Sequence, residues 1–102
     1  MKPVIIINRF SIKPGKMDEF IDAQQQFAAA TVKTPNGLIG GRMYRGLDNS
    51  SAVLVSLFAS SSAQDEIRQS DAFKAHVSRL QPLIESSTPS LYEEAYTTGE
   101  FR

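Results

Sequence analysis

Cysteine and tryptophan are absent from the 102-residue chain, and histidine occurs once. Without cysteine there is no disulfide, no thiolate metal site and no thiol nucleophile. One histidine cannot build a usual zinc site. An excess of one charge is missing too: eleven basic residues balance eleven acidic ones, and no run of like charge appears. The electrostatics that drive binding to nucleic acid or to an anionic membrane surface are therefore not in the composition. The expected partner is small and not a polyanion. Long hydrophobic runs are also lacking. The apolar stretch in "KPVIIIN" stops at Asn8-Arg9 with no small-residue cleavage site, so the expectation is a cytoplasmic chain with no membrane span. The length suits one domain over residues 1–102 with a single core.

What is present is patterned. Val4 to Lys13 is rich in isoleucine and closes on the "KPGK" turn, which reads as a strand. From Lys16 to about Lys33 the period becomes helical: Met17, Phe20, Gln24, Phe27 and Thr31 fall on one stripe, with Asp18 and Glu19 in the first turn. "TPNG" ends this helix. Leu38 to Gly46 and Ala52 to Ala59 read as two strands of a hairpin around "LDNS". Ser60, Ser61 and Ser62 offer N-caps, with Ser61 and Ser62 three residues before Gln64 and Asp65 in the manner of capping boxes, which places a short helix over about Ala63 to Gln69. Ser70 reads as the cap of a further helix carrying Phe73, Val77, Leu80 and Ile84, with its last turn distorted by Pro82. Leu91 to Thr97 alternates and is read as the last strand.

Strand, helix, strand, strand, broken helix, strand is the order of a ferredoxin-like split βαβ fold: a four-stranded antiparallel sheet with helices on one face. The third strand has apolar residues on both sides, Val53, Val55 and Leu57 on one and Leu54 and Phe58 on the other. Helices cover one face, so the second is expected to pack on an identical subunit.

Two polar residues interrupt apolar patterns. Asn8 shares a strand face with Ile6 and Phe10. Its amide either bonds a nearby backbone group or water, or opens into a pocket and orients a ligand oxygen. His76 lies beside the apolar stripe of the last helix, at the border between core and cleft. It either packs there or serves as a general base, being the side chain that titrates near neutrality. Arg42 and Tyr44 share a strand face and are candidates to line one cavity. Phe27, Phe58 and Phe73 fit the core by spacing and are also the aromatic candidates for a substrate wall. Gly40-Gly41 marks a bulge or a close backbone approach, without the context of a phosphate loop.

The segments "NRFSIKPGKMDEF", "PNGLIGGRMYRGLD" and "LFASSSAQDEIRQSDAFKAHVSRLQPLI" resemble the antibiotic biosynthesis monooxygenase family, and together they cover nearly the whole chain. The resemblance implies a dimeric α+β barrel. It also implies a monooxygenase that uses dioxygen on a small aromatic or enolisable, quinol- or polyketide-like compound with no cofactor. His76 and Asn8 would then be catalytic. The haem-degrading branch of the family has an asparagine followed by arginine at the place of Asn8-Arg9, which would make haem the alternative cofactor. Its tryptophan falls on Ile67, however, and its axial histidine on Val77, one residue and a rotation of about 100° from His76. A non-catalytic dimeric module holding a small hydrophobic molecule is the other reading, since fold does not choose between activities.

Overall fold

The computed structural model describes residues 3–32 and 37–100. Four strands and three helices follow one another as β1 (Val4–Ile12), α1 (Met17–Val32), β2 (Leu38–Arg45), β3 (Ser51–Phe58), α2 (Ser61–Gln69), α3 (Asp71–Leu80) and β4 (Ile84–Tyr92). The sheet is antiparallel in the order β2-β3-β1-β4, which is the ferredoxin-like α+β arrangement.

Local chemistry explains most of the element ends. Gly15 takes φ +76 in the turn before α1, a conformation that costs a glycine little. The first turn of α1 carries Asp18 and Glu19, whose charge suits the helix N-terminus. At the β2–β3 turn, Asp48 Oδ1 accepts from Ser50 N–H at 3.0 Å. That bond holds the Asp48 carboxyl below its ordinary pKa.

Ser70 serves two helices at once. Its hydroxyl donates to Ile67 C=O at 2.7 Å at the end of α2 and accepts from Phe73 N–H at 3.1 Å at the start of α3. A cap of this kind contributes about 1 kcal/mol, and here one side chain both closes α2 and opens α3. Pro82 sits in a 3-10 turn, Gln81–Leu83, that ends α3, as its missing N–H requires.

Three expectations are corrected. The last strand is Ile84–Tyr92 and not Leu91 to Thr97, so "ESSTPS" is strand and Ile84 begins it instead of closing a helix. β4 is an edge strand paired with β1 alone. It is exposed along nearly its whole length and carries Pro89, and an edge position tolerates both features. The second correction concerns α2, which starts at Ser61 and not Ala63: of the three candidate serines Ser60 is the cap, its hydroxyl accepting from Ala63 N–H at 3.2 Å, and Ser61 and Ser62 lie within the helix. The third is the orientation of α3, described with the site below. The expected end of α1 at Lys33 and the "TPN" of its stop signal lie outside the described residues.

The helices pack on the sheet face that carries Phe10, Ile12 and Ala52. Phe20, Met17 and Ala23 of α1 meet these residues, as do Leu80 and Leu83, in one core cluster. Cross-strand partners share a face, so Asn8, opposite Leu54, and Phe58, opposite Val4, belong to this side. The outer face carries Ile5, Ile7, Val53, Val55 and Leu57, all partly exposed.

Candidate active site

Gln24 and Phe27 lie on neighbouring turns of α1, and spacing of this kind turns both toward the same neighbour. That neighbour is His76 of α3. Gln24 Oε1 lies 2.7 Å from His76 Nε2. The Phe27 ring stacks on the imidazole at 4.1 Å between centroids and 5° between planes. Phe73 completes the group, edge-on to Phe27 at 6.1 Å.

His76 is 5 % exposed and Gln24 is buried as well. α3 turns Phe73, His76 and Leu80 inward and leaves Val77 37 % exposed, so the stripe read through Val77 is corrected, and His76 lies within the buried face where it borders a groove. A helix face is set by what it packs against, and here Gln24 supplies the hydrogen bond that a buried imidazole needs. Loss of hydration pushes the His76 pKa down from 6.5 to about 4, and the Arg79 cation adds to the drop.

Two open grooves adjoin this cluster. One, of about 290 Å³, runs between α1 and α3 and is lined by Gln26, Phe27, Ala30, His76 and Arg79 among others. The second, of about 420 Å³, continues past Phe27, Ala30 and Ala72 to Ile67 and Glu66. Asn8 lines neither groove and reaches the layer between sheet and helices from β1. Asn8 Oδ1 and His76 Nδ1 are buried and have no hydrogen-bond partner. Each is an acceptor or potential acceptor, and leaving such an atom unpaired costs on the order of 1–3 kcal/mol.

The expected site residues thus fall into three places. His76, Phe27 and Phe73 form one contact cluster. Asn8 and Phe58 lie on the helix-facing side of the sheet, Phe58 buried there. Arg42 and Tyr44 pair with Val55 and Val53 and so occupy the outer face, away from Asn8 and His76 within one chain. The cause is a bulge. Leu38 pairs with Phe58 but Gly40 pairs with Leu57, and this extra residue turns everything after it to the opposite face. Gly41 follows, where an added Cβ would stand 3.0 Å from Val55 C=O, so Gly40-Gly41 combines bulge and close approach.

Gln24 is the residue that sequence reasoning missed. Its signal was a polar side chain on the apolar stripe of α1, matched by a polar side chain on a second helix 52 positions away.

A haem does not fit these residues. Ligation needs an imidazole with open space around it for the porphyrin, whereas His76 Nε2 is held by Gln24 and the Phe27 ring covers the imidazole face. Val77, where the resemblance puts the ligand, carries no donor atom. Among the described residues there is no cluster of three or more metal-ligating side chains and no helix long and apolar enough to cross a membrane.

Sheet order, helix placement and the His76 cluster define a ferredoxin-like α+β protein with a titratable group enclosed beside a groove. The model of the antibiotic biosynthesis monooxygenase family matches residues 3–79, and the chain belongs to that family. SnoaB, described as a cofactor-independent oxygenase from Streptomyces nogalater, has the same fold with a TM-score of 0.85. It is 24% identical over 98% of this chain and 100% of its own. A conserved protein from Methanosarcina mazei Go1 gives 0.81 at 21% identity, covering 92% of this chain and 94% of its own. A protein from Mycobacterium tuberculosis gives 0.80 at 19%, covering 96% and 100%. No curated protein matches the sequence.

Proposed function

We propose that this protein is a cofactor-independent monooxygenase acting with dioxygen on a small aromatic or enolisable ring compound. The observation that carries the reading is His76 Nδ1, buried and unpartnered on a residue that lines the groove between α1 and α3. Family membership and the likeness to a cofactor-independent oxygenase support it.

In this scheme His76, neutral at physiological pH, takes a proton from an acidic ring CH2 or its enol. The carbanion carbon transfers electrons to dioxygen and forms a C–O bond. The peroxide takes the proton back and loses water, leaving a ketone. One oxygen atom enters the ring, the other leaves as water, and the CH2 carbon supplies all four electrons. Asn8 Oδ1 is an acceptor, so it suits a ring hydroxyl of the substrate better than dioxygen, which has no hydrogen to donate. Phe27, which lines both grooves and is backed by Phe73, provides an apolar wall that keeps water from the anion.

A purified sample without added metal or cofactor is expected to consume one dioxygen per substrate on a panel of anthrones and hydroquinones. His76→Gln, which retains a polar partner for Gln24, should lower kcat by about a hundredfold or more. Unchanged turnover in that variant removes the base assignment. Binding of panel compounds without oxygen uptake would instead establish the non-catalytic module, a reading favoured by the low basicity of His76.

The active unit in this proposal is a homodimer formed through the outer sheet face, where Ile7 and Val55 stand opposite each other. Light scattering is expected to give twice the chain mass. Val55→Lys should shift the protein toward monomer, because a charge would then be buried at the centre of the seam. A monomeric parent protein at micromolar concentration overturns the dimer.

A further inference from the structure

We propose that Gln24 is a positioning residue that holds His76 in the Nε2–H tautomer, so that Nδ1 presents the lone pair to the substrate. The proposal rests on His76 acting as the base, and it adds which nitrogen acts and what selects it.

Neutral imidazole has one protonated and one bare nitrogen, and the partner of one decides the state of the other. Gln24 presents its carbonyl oxygen to Nε2 at 2.7 Å. A carbonyl can only accept, so Nε2 must donate and Nδ1 is left bare. Nδ1 is buried and unpartnered, as expected of an atom kept for a ligand proton.

Rotation of the ring by half a turn about Cβ–Cγ would carry Nε2 to the place of Cε1 and Nδ1 to the place of Cδ2, and so would break the bond to Gln24. The Phe27 stack, parallel to within 5° at 4.1 Å, opposes it, because the imidazole cannot turn without leaving the aromatic face. One helix therefore supplies both constraints: Gln24 fixes the proton and Phe27, a turn later, fixes the plane. The hydrogen bond and the stack both oppose a flip of the ring, and the hydrogen bond also selects the tautomer, which a stack alone would leave open.

The amide also bears on how the proton is returned. When Nδ1 takes a proton, the imidazolium rests on a neutral acceptor and gains little from it. A carboxylate at that place would hold the proton more tightly. Gln24 therefore suits a base that must soon hand its proton to the peroxide. The charged group facing His76 is Arg79 on its own helix, and Gln24 and Phe27 of α1 are uncharged. No carboxylate on the groove beside the ring competes with this assignment.

Because His76 is the only histidine, long-range proton–nitrogen correlation spectra of the labelled protein report its two ring nitrogens without ambiguity. At pH 7 the ligand-free protein is expected to show Nε2 as the pyrrole-type nitrogen and Nδ1 as the pyridine-type one. Gln24→Leu should draw the two signals toward a tautomer mixture and lower kcat more than it changes KM. Gln24→Glu, nearly the same shape, should retain Nε2–H and raise the His76 proton affinity at least tenfold. A pyridine-type Nε2 in the parent protein overturns the proposal, as does an unchanged tautomer in Gln24→Leu. If Gln24→Leu fails to fold, the parent spectrum and Gln24→Glu decide. A locked tautomer with no oxygen uptake on any substrate refutes the oxygenase reading while leaving the Gln24 constraint standing.

Discussion

Phe20→Ala is expected to lower the free energy of unfolding by roughly 3–5 kcal/mol, measured by urea denaturation at neutral pH. Phe20 is 0 % exposed, and its ring meets Phe10 at 4.8 Å with the planes tilted 59°. Around the pair stand Ile12, Met17, Ala52, Leu80 and Leu83. Truncation removes the transfer energy of the ring and leaves a void. β1 and β3 are fixed by their ladder and cannot close in to fill it. Small domains are stable by about 5–15 kcal/mol in all, so the variant should retain little margin. Phe20→Leu retains much of the apolar volume and should cost clearly less. Equal losses in the two variants, or a loss below about 1 kcal/mol in the first, would show that the ring does not anchor α1.

The consequence reaches the site, because Phe20, Gln24 and Phe27 lie on one stripe of α1. With Phe20 removed, the helix loses the contact that sets its distance from the sheet. The Gln24 bond and the Phe27 stack then lose their fixed geometry. Conditions that leave Phe20→Ala folded should therefore still show a blurred His76 tautomer, linking the core directly to the ring nitrogens.

Features with local causes were legible in the sequence. The Pro14-Gly15 turn, the Ser70 cap and the Pro82 distortion each act within a few residues, and each appears where its chemistry put it. The element order, and with it the ferredoxin-like fold, followed from the changes of period. β4 was displaced because its strand character comes from pairing with β1. An edge strand written "ESSTPS" has no buried face to impose alternation.

The face of Arg42 and Tyr44 was hidden for a related reason. Alternation shows that they share a face, and the Gly40-Gly41 pair hints at a bulge, but the face itself depends on the register after Ile39. His76 and Gln24 were each visible as a polar residue on or beside an apolar stripe. Their pairing was not, since a period of 3.6 says nothing about which two helices meet or at what rotation.

Acid is expected to destabilise this protein through His76. The folded-state pKa lies near 4, below the ordinary 6.5. As pH falls through 6.5 the unfolded chain takes up a proton, whereas the folded chain does not until about 4. Stability is therefore fully present above 6.5 and is lost between 6.5 and 4. The difference implies roughly 3 kcal/mol, reduced to about 2 because the groove beside the ring is open to water. Urea unfolding at pH 7, 5.5 and 4.5 measures it. His76→Gln, which cannot titrate, should lose this part of the slope. Asp48, held below its usual carboxylate value by the Ser50 bond, titrates below the window and should not blur it. The same displacement governs turnover. Since kcat/KM reports the free enzyme, its acid limb should fall near pH 4 and leave the rate flat through the range where an ordinary histidine would protonate. An acid limb at 6.5, or a parent protein whose stability does not change between pH 7 and 4.5, would mean that the ring is solvated and not enclosed by Gln24 and Phe27. A limb near 4 would tie the burial of His76 to its chemistry: the packing that keeps the imidazole neutral would also set the lowest pH at which it can accept a substrate proton.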